Sequence, residues 1–241
     1  MTNDLKNYTI GFPLYPGFDS LDVLGPFQVF TFLGVKPILL SMDSHPVTSF
    51  EGVTIKAHAT FKDVDQGKLK LDAFFVPGAS GDGLKGVLAL GPLGQNAYLD
   101  FLTQQAATVK MRLSVCTGAL LLGAAGLLQG YTATTHWAYQ TILQSFPGVT
   151  LASGYPRYVI DRNLVTGGGI SSGIDEALAI AGILAGDANA EIVQLSMQYA
   201  PNPPYHSGDP SQAGPTALYA ASNSMGISSL AEAFNDFAAA S

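Results

Sequence analysis

Cys116 is the one cysteine of the chain. It lies in "RLSVCTGALLLGAAGLL" (Arg112 to Leu128), between four residues of strand character and a Gly/Ala/Leu run of helical character. In a parallel α/β sheet, functional groups collect at the carboxyl ends of the strands. A thiol at such a junction sits on a tight turn with its side chain presented, which is the geometry of a nucleophile elbow. The N–H groups and positive dipole end of the following helix are expected to favour thiolate over thiol. They also supply donors for a developing negative charge. Ser114-Val115-Cys116-Thr117-Gly118 keeps the small residue that close packing needs after the nucleophile, although Ser114 replaces the first glycine of the usual pattern. An inert core thiol is the alternative, but it would fit anywhere in the core and leaves the junction unexplained.

A thiol nucleophile needs a base or an acid beside it. The histidines are His45, His58, His136 and His206. His136, in "TATTHW", follows a short strand and serves either at the sheet edge or as a hydrogen-bonded structural residue. His206 reads as a loop residue, and no His-x-Glu pair is present to complete a Cys-His-Glu triad. Asp19 and Asp22, in "FDSLDVLGP", follow the first strand. Each can cap the turn before the Gly25-Pro26 helix start or take part in catalysis, and local sequence leaves both roles open.

Other motifs fail on inspection. "GDGLKG" matches G-x-G-x-x-G but has no clear following helix start and no acidic residue ~20 positions on. Gly78 and Gly83 have P-loop spacing, yet Leu84 occupies the lysine position. "TGGGISSG", which includes Gly168, misses dinucleotide spacing, and its glycines are expected to let backbone approach a site. No His/Cys/Asp cluster has metal spacing. Neither a metal nor a cofactor is expected.

The elements that must hold these residues alternate. Strands are expected at Tyr8–Tyr15, Lys36–Ser41, Leu71–Val76 and Met111–Val115, with hairpins over Val47–Ala57 and Tyr158–Thr166. Helices are expected from Pro26 to about Leu33, within "GQNAYLDFLTQQAATV", after Cys116, over Ala138–Phe146, after Gly169 to about Leu184, and over Ala188–Tyr199. This alternation predicts an α/β sandwich around a mainly parallel sheet. "APNPPYHSGDPSQAGP" (Ala200 to Pro215) reads as a linker into one C-terminal helix. The 241 residues are read as a single domain, with 200–241 packing on it.

Composition narrows the function. The chain is 47% hydrophobic and 12% charged, with net charge −7 and only 11 Lys+Arg, which argues against disorder and against nucleic-acid binding. One cysteine forbids an internal disulfide and fits a reducing, cytoplasmic compartment. "MTNDLKNYTIGF" is polar and runs directly into a strand, so no signal peptide is expected. The longest apolar stretch, Ala119 to Leu128, is ten residues, well short of the ~20 that cross a bilayer, so no membrane role is expected.

Five segments together carry a family resemblance: "IGFPLYPGFDSLDVLGPFQVF", "SVCTGALLLGAAGLLQG", "ATTHWAY", "LVTGGGISSGIDEAL" and "QYAPNPPYHSGDP". From about Tyr8 to Pro210 the chain resembles the isonitrile hydratase branch of the ThiJ/PfpI superfamily. The resemblance implies a flavodoxin-like, class I glutamine amidotransferase-like sandwich, usually a homodimer, with Cys116 as nucleophile on the elbow. It makes Asp22, in "LDVLGP", the acidic partner, leaves Asp19 as the turn residue, and matches Thr117 to the residue after the nucleophile. Gly78, Ala79 and Gly168 are then expected to line the oxyanion and substrate pocket. Two departures stand out. Pro77-Gly78-Ala79 replaces the common Pro-Gly-Gly, so the oxyanion donor would be the Ala79 N–H, and Thr117 stands where protease-like members carry histidine.

The resemblance implies addition of water to an isonitrile, R–NC, giving an N-substituted formamide through a cysteine thioimidate. The competing function is a cysteine-based redox or small-ligand sensor without turnover. A related class of transcription regulators carries the same block before a basic helix-turn-helix domain. Only 26 residues follow Pro215, without a basic helix, so that reading is set aside.

Overall fold

The computed structural model describes residues 5–241. The N-terminal polar segment read as lacking a signal sequence lies partly outside the described residues, and at its end Leu5–Asn7 forms one 3-10 turn.

The chain begins with β1 (Thr9–Pro13), α1 (Ser20–Leu33), β2 (Lys36–Ser41), β3 (Val47–Thr48), β4 (Thr54–Ile55), β5 (Ala59–Thr60) and α2 (Phe61–Asp65). β6 (Ala73–Val76), α3 (Gly81–Leu88), α4 (Ala97–Ala106), β7 (Met111–Ser114) and α5 (Gly118–Ala124) follow. Next come β8 (Thr132–Ala133), α6 (Gln140–Ser145), β9 (Thr150–Leu151), β10 (Tyr158–Asp161) and β11 (Leu164–Gly167). The chain ends with α7 (Ser172–Ala185), α8 (Asp187–Ser196), α9 (Pro215–Ser224) and α10 (Ile227–Ala240).

The main sheet has the order β10-β11-β7-β6-β1-β2-β5. Every pairing in it is parallel except β10 with β11. β1, β6, β7 and β11 are buried at every position, as expected of central strands covered by helices on both faces. Helices α1, α7 and α8 pack together as one layer, while α4, α5, α6 and α10 with α3 form the other. This is the α/β sandwich around a mainly parallel sheet that the alternation predicted, in the flavodoxin-like form that the resemblance implied.

The interior between the sheet and α1 is aromatic. Phe12 stacks on Phe75 with ring centroids 5.2 Å apart, and Phe30 meets Phe75 edge-on at 6.1 Å. Such pairs add ~0.5–1.5 kcal/mol each beyond their buried area. On the opposite face Leu230, Phe234 and Phe237 of α10 are buried, with Phe234 edge-on to Phe146 at 5.5 Å.

Several local expectations need correction. α1 starts at Ser20 rather than Pro26, because Asp19 caps it by accepting from the Leu21 and Asp22 N–H groups. Pro26 lies inside the helix, where it forgoes one backbone hydrogen bond and packs close to Gly173 of α7. "GDGLKGVL" is itself α3, capped by Ser80, with Leu84, Val87 and Leu88 turned into the core. The C-terminal region holds two helices rather than one. The hairpins expected over Val47–Ala57 and Tyr158–Thr166 form as β3–β4 and β10–β11.

Candidate active site

Four adjacent strands deliver the site. Asp22 follows β1, Gly78 follows β6, Cys116 follows β7 and Gly168 follows β11, all at the carboxyl edge of the sheet. Cys116 has φ +57°, a left-handed conformation that costs a non-glycine residue ~1–2 kcal/mol. Its surroundings over-determine it. The Cys116 N–H donates to the Gly168 carbonyl at 2.7 Å, and the Thr135 hydroxyl donates to the Cys116 carbonyl at 2.8 Å. The Gly118 N–H returns to the Val115 carbonyl at 2.9 Å, closing the turn. Gly118 has no room for a side chain, since a Cβ there would strike the Val76 carbonyl oxygen. At Gly78 a Cβ would lie 2.6 Å from the Thr117 nitrogen and 2.8 Å from Cys116 Cβ. These contacts hold the thiol in place, and it is 6% exposed.

Asp22 is fully buried on the first turn of α1, in the register that the Asp19 cap sets. Its Oδ2 accepts from the Gly78 N–H at 2.8 Å, its Oδ1 has no hydrogen-bond partner, and its charge acts on the Cys116 thiol. Asp19 is the capping residue, with its own N–H donating to the Gly78 carbonyl at 2.8 Å. The β6–α3 loop is thus stitched to both aspartates.

Electrostatics correct the expected low-pKa thiol. Burial first, and then the Asp22 charge, push the Cys116 thiol well above its ordinary value, although the Thr117 and Ile170 N–H groups facing the sulfur pull it down. α5 is only seven residues long, and its dipole does not offset that burial. Asp22 is likewise raised well above the usual carboxylate range, chiefly by burial and then by Asp19. Two negative charges in this dry space are costly, so the pair carries at most one.

The expected oxyanion donor is also corrected. The Ala79 N–H donates to Thr117 Oγ1 at 2.9 Å, and that hydroxyl donates back to the Ala79 carbonyl at 2.9 Å. The Gly78 N–H is held by Asp22. The loop therefore orients the acid and locks Thr117, and neither N–H is free for substrate. Gly168 lies in a cavity wall, its carbonyl accepting from the Cys116 N–H and its N–H donating to the Arg157 carbonyl. His136 accepts from the Ala138 N–H through Nδ1 at 3.3 Å, and burial lowers its pKa to about 4, so it is a neutral capping residue. His206 is an exposed residue in the cavity wall.

Local sequence did not single out two residues. Ile170, behind the three glycines, brings a backbone donor to the sulfur, and no side-chain motif marks a backbone N–H. Glu176, in "GIDEAL", is fully buried under Gly167, and neither carboxyl oxygen has a hydrogen-bond partner. Burial raises Glu176 well above its ordinary value, with Asp22 adding to the shift. Its place on the inner face of α7, at helical spacing from Ser172, Gly173, Ala177 and Ile180, was the available signal.

A buried, strained cysteine facing a buried carboxyl, at the carboxyl edge of a parallel sheet, coincides with a match to the DJ-1/PfpI family model over residues 9–182. The chain belongs to the DJ-1/PfpI family. It is 44% identical to the isonitrile hydratase of Pseudomonas putida over 211 residues, covering 87% of this chain and 86% of that one. The crystal structure of a ThiJ/PfpI family protein from Pseudomonas syringae superposes with TM-score 0.85 at 31% identity, covering 99% and 96% of the two chains. The HTH-type transcriptional regulator GbdR of Pseudomonas aeruginosa is 35% identical over 86 residues, which is 35% of this chain but 23% of the regulator. Among the described residues no helix is long and apolar enough to cross a membrane.

Proposed function

We propose that this chain is an isonitrile hydratase, adding water to R–NC to give R–NH–CHO, with Cys116 as nucleophile and Asp22 as the group that moves protons. The carrying observation is the thiol–carboxyl pair itself, shut in together with at most one negative charge between them. The Pseudomonas putida relative supports the choice of substrate class.

The reactive form is thiolate beside neutral carboxyl, reached as the thiol passes its proton to the Asp22 carboxylate. The Thr117 and Ile170 N–H groups facing the sulfur steady that thiolate, while on the carboxyl only Oδ2 has a backbone donor, from Gly78. The thiolate attacks the terminal carbon of the isonitrile as Asp22 delivers its proton to that carbon, forming the thioimidate R–N=CH–S–Cys116. Asp22, now a carboxylate, takes a proton from water as the water oxygen adds to the same carbon, and passes that proton to nitrogen. The hydroxyl proton then returns to Asp22 as the C=O bond forms and the C–S bond breaks. Thiolate and neutral carboxyl are restored, and one water has been consumed. Thr117 orients the sulfur through its N–H, and Gly78 orients the acid. Amide hydrolysis would instead require protonation of an amine leaving group, a task for an imidazole. Of the two imidazoles in the cavity wall, His136 is neutral and committed to a cap, and His206 is exposed in the segment 200–214.

A redox sensor is the weaker reading, because sensor cysteines are open to solvent. Cys116 is buried.

The protein acts as a single domain and as a homodimer in the cytoplasm. Exposed Leu21 and Leu24 on α1, Ile183 on α7, and Ile192 and Leu195 on α8 lie on three helices that pack together. They offer an apolar face suited to a second copy. Sedimentation at micromolar concentration should give twice the 25.1 kDa chain mass, and a monomer alone would refute the dimer. Formamide release from phenyl isonitrile, with casein and glutamine as controls, tests the activity. No turnover, or proteolysis that Cys116→Ser abolishes, would overturn it.

A further inference from the structure

The cavity in front of the elbow is far larger than an isonitrile group requires. It encloses about 950 Å³, at the top of the ~300–1,000 Å³ range of small-molecule pockets. Its inner wall contains Thr135, Gly168 and Ile170, the three residues whose hydrogen-bonding groups meet Cys116. Cys116 itself lies behind this wall, and the Ile170 N–H, which faces the sulfur, is where a substituent on a carbon at the sulfur would enter this space.

The wall has a definite chemistry. His136 and Trp137 stand side by side with ring centroids 5.6 Å apart, and Tyr155 joins them from the loop before β10. Leu21 of α1, with Ile170 and Ile174 at the start of α7, supplies aliphatic surface. Arg157 and Asp175 in this wall already hold each other. Arg157 Nε donates to Asp175 Oδ2 at 2.6 Å and its Nη1 donates to Ser171 Oγ at 3.0 Å, while the Tyr199 hydroxyl donates to Asp175 Oδ1 at 2.8 Å. In the exposed strap of residues 200–214, Asp209 accepts from Ser211 and Gln212 within its own turn. His136 is neutral. The wall therefore leaves no lysine or unpaired arginine to receive an anionic substituent.

We infer that the substrates are bulky aromatic isonitriles without an anionic substituent, selected by an aromatic wall in which Trp137 and Tyr155 are the specificity-determining side chains. The inference rests on the isonitrile hydratase reading and adds the R group to it. Small alkyl isonitriles reach the sulfur but leave this wall unused, so binding energy that could favour the transition state is lost.

The test compares kcat/KM for 2-naphthyl and methyl isonitrile in wild type, Trp137→Ala and Tyr155→Ala. The expected wild-type ratio is ~10² or more, since even one methylene in a fitted apolar pocket is worth ~10-fold or more. Each variant should lower that ratio several-fold, a readout that general damage to the fold would leave unchanged. A carboxylate on the distal ring should remove the naphthyl advantage. A wild-type ratio near one, or a ratio unmoved in both variants, overturns the inference while leaving the hydratase standing. Calorimetric binding of N-(2-naphthyl)formamide and N-methylformamide to wild type judges the wall without turnover. Naphthyl preference that weakens in Trp137→Ala supports the aromatic wall even if no isonitrile is hydrated, and equal binding of the two overturns it.

Discussion

The elbow at 115–118, which hydrogen-bonds to the cavity wall at Thr135 and Gly168, and the strap at 200–214, which lines that cavity, are built in opposite ways. At the elbow every residue is buried, the cysteine is held at positive φ, and neighbouring strands clamp the turn by hydrogen bonds. The strap forms no helix or strand, is exposed from Pro201 to Gly208, and makes its few side-chain bonds within one turn at Asp209. Chemistry needs atoms fixed to fractions of an ångström, and packing from several elements supplies that precision. Recognition of a variable substituent tolerates a looser wall. The structure therefore separates a rigid reacting centre from an adaptable rim.

The largest effect that bears on this contrast is at the nucleophile. Cys116→Ser should lose essentially all formamide formation, because a serine hydroxyl ionises far less readily than a thiol in the same pocket. Residual turnover within tenfold of wild type would mean that the elbow is not where the chemistry occurs. Asp22→Asn should fold yet lose at least ~10²-fold in kcat, the usual scale of general acid–base catalysis. A wild-type rate there would remove the proton-handling role.

Stability sharpens the contrast next. Gly118→Ala drives a methyl into the Val76 carbonyl and should cost ~2–4 kcal/mol in urea unfolding, as steric strain at a buried turn does. Gly208→Ala on the strap meets nothing within 4 Å and should stay within ~0.5 kcal/mol of wild type. Similar costs at both positions would show that the two regions are equally constrained.

The smallest expected effect comes from the second buried carboxyl. The folded-state pKa of Glu176 is raised above the ~4.3 of an unfolded glutamate, so the folded chain retains a proton that the unfolded chain releases. Its contribution is most favourable below about pH 4 and falls as pH rises from there toward the folded pKa. Glu176→Gln should therefore raise Tm at pH 8 and change it little at pH 4. Melting curves with the same difference at both pH values would place Glu176 outside this balance.

Much of this architecture was legible in sequence. β1, β2, β6 and β7 follow from short apolar runs bounded by Gly, Pro or Asp, and the elbow follows from one cysteine at a strand-to-helix boundary. The start of α1 was misplaced because Pro26 resembles a first-turn residue, whereas the Asp19 cap and the packing against Gly173 carry the helix through it. "GDGLKG" hid a helix because its three glycines have low helical propensity, and burial of Leu84, Val87 and Leu88 overrides that preference. The choice between Asp19 and Asp22 was open locally and came from family resemblance. Three-dimensional geometry assigns Asp19 to the cap and turns Asp22 toward the thiol.

Sequence by itself determined the alternation of strands and helices, the position of the thiol at a strand end, and the lack of a histidine adjacent to it in the chain. These depend on residue type and local spacing, which sequence displays directly. Only the tertiary structure decided that Cys116 and Asp22 share one dry space, that both are raised rather than lowered, and that the Ala79 N–H is already taken by Thr117. The physical reason is that desolvation and hydrogen-bond partnership depend on groups from β1, β6, β7 and β11 meeting at one edge. Those groups are up to 146 positions apart in the chain, from Asp22 to Gly168.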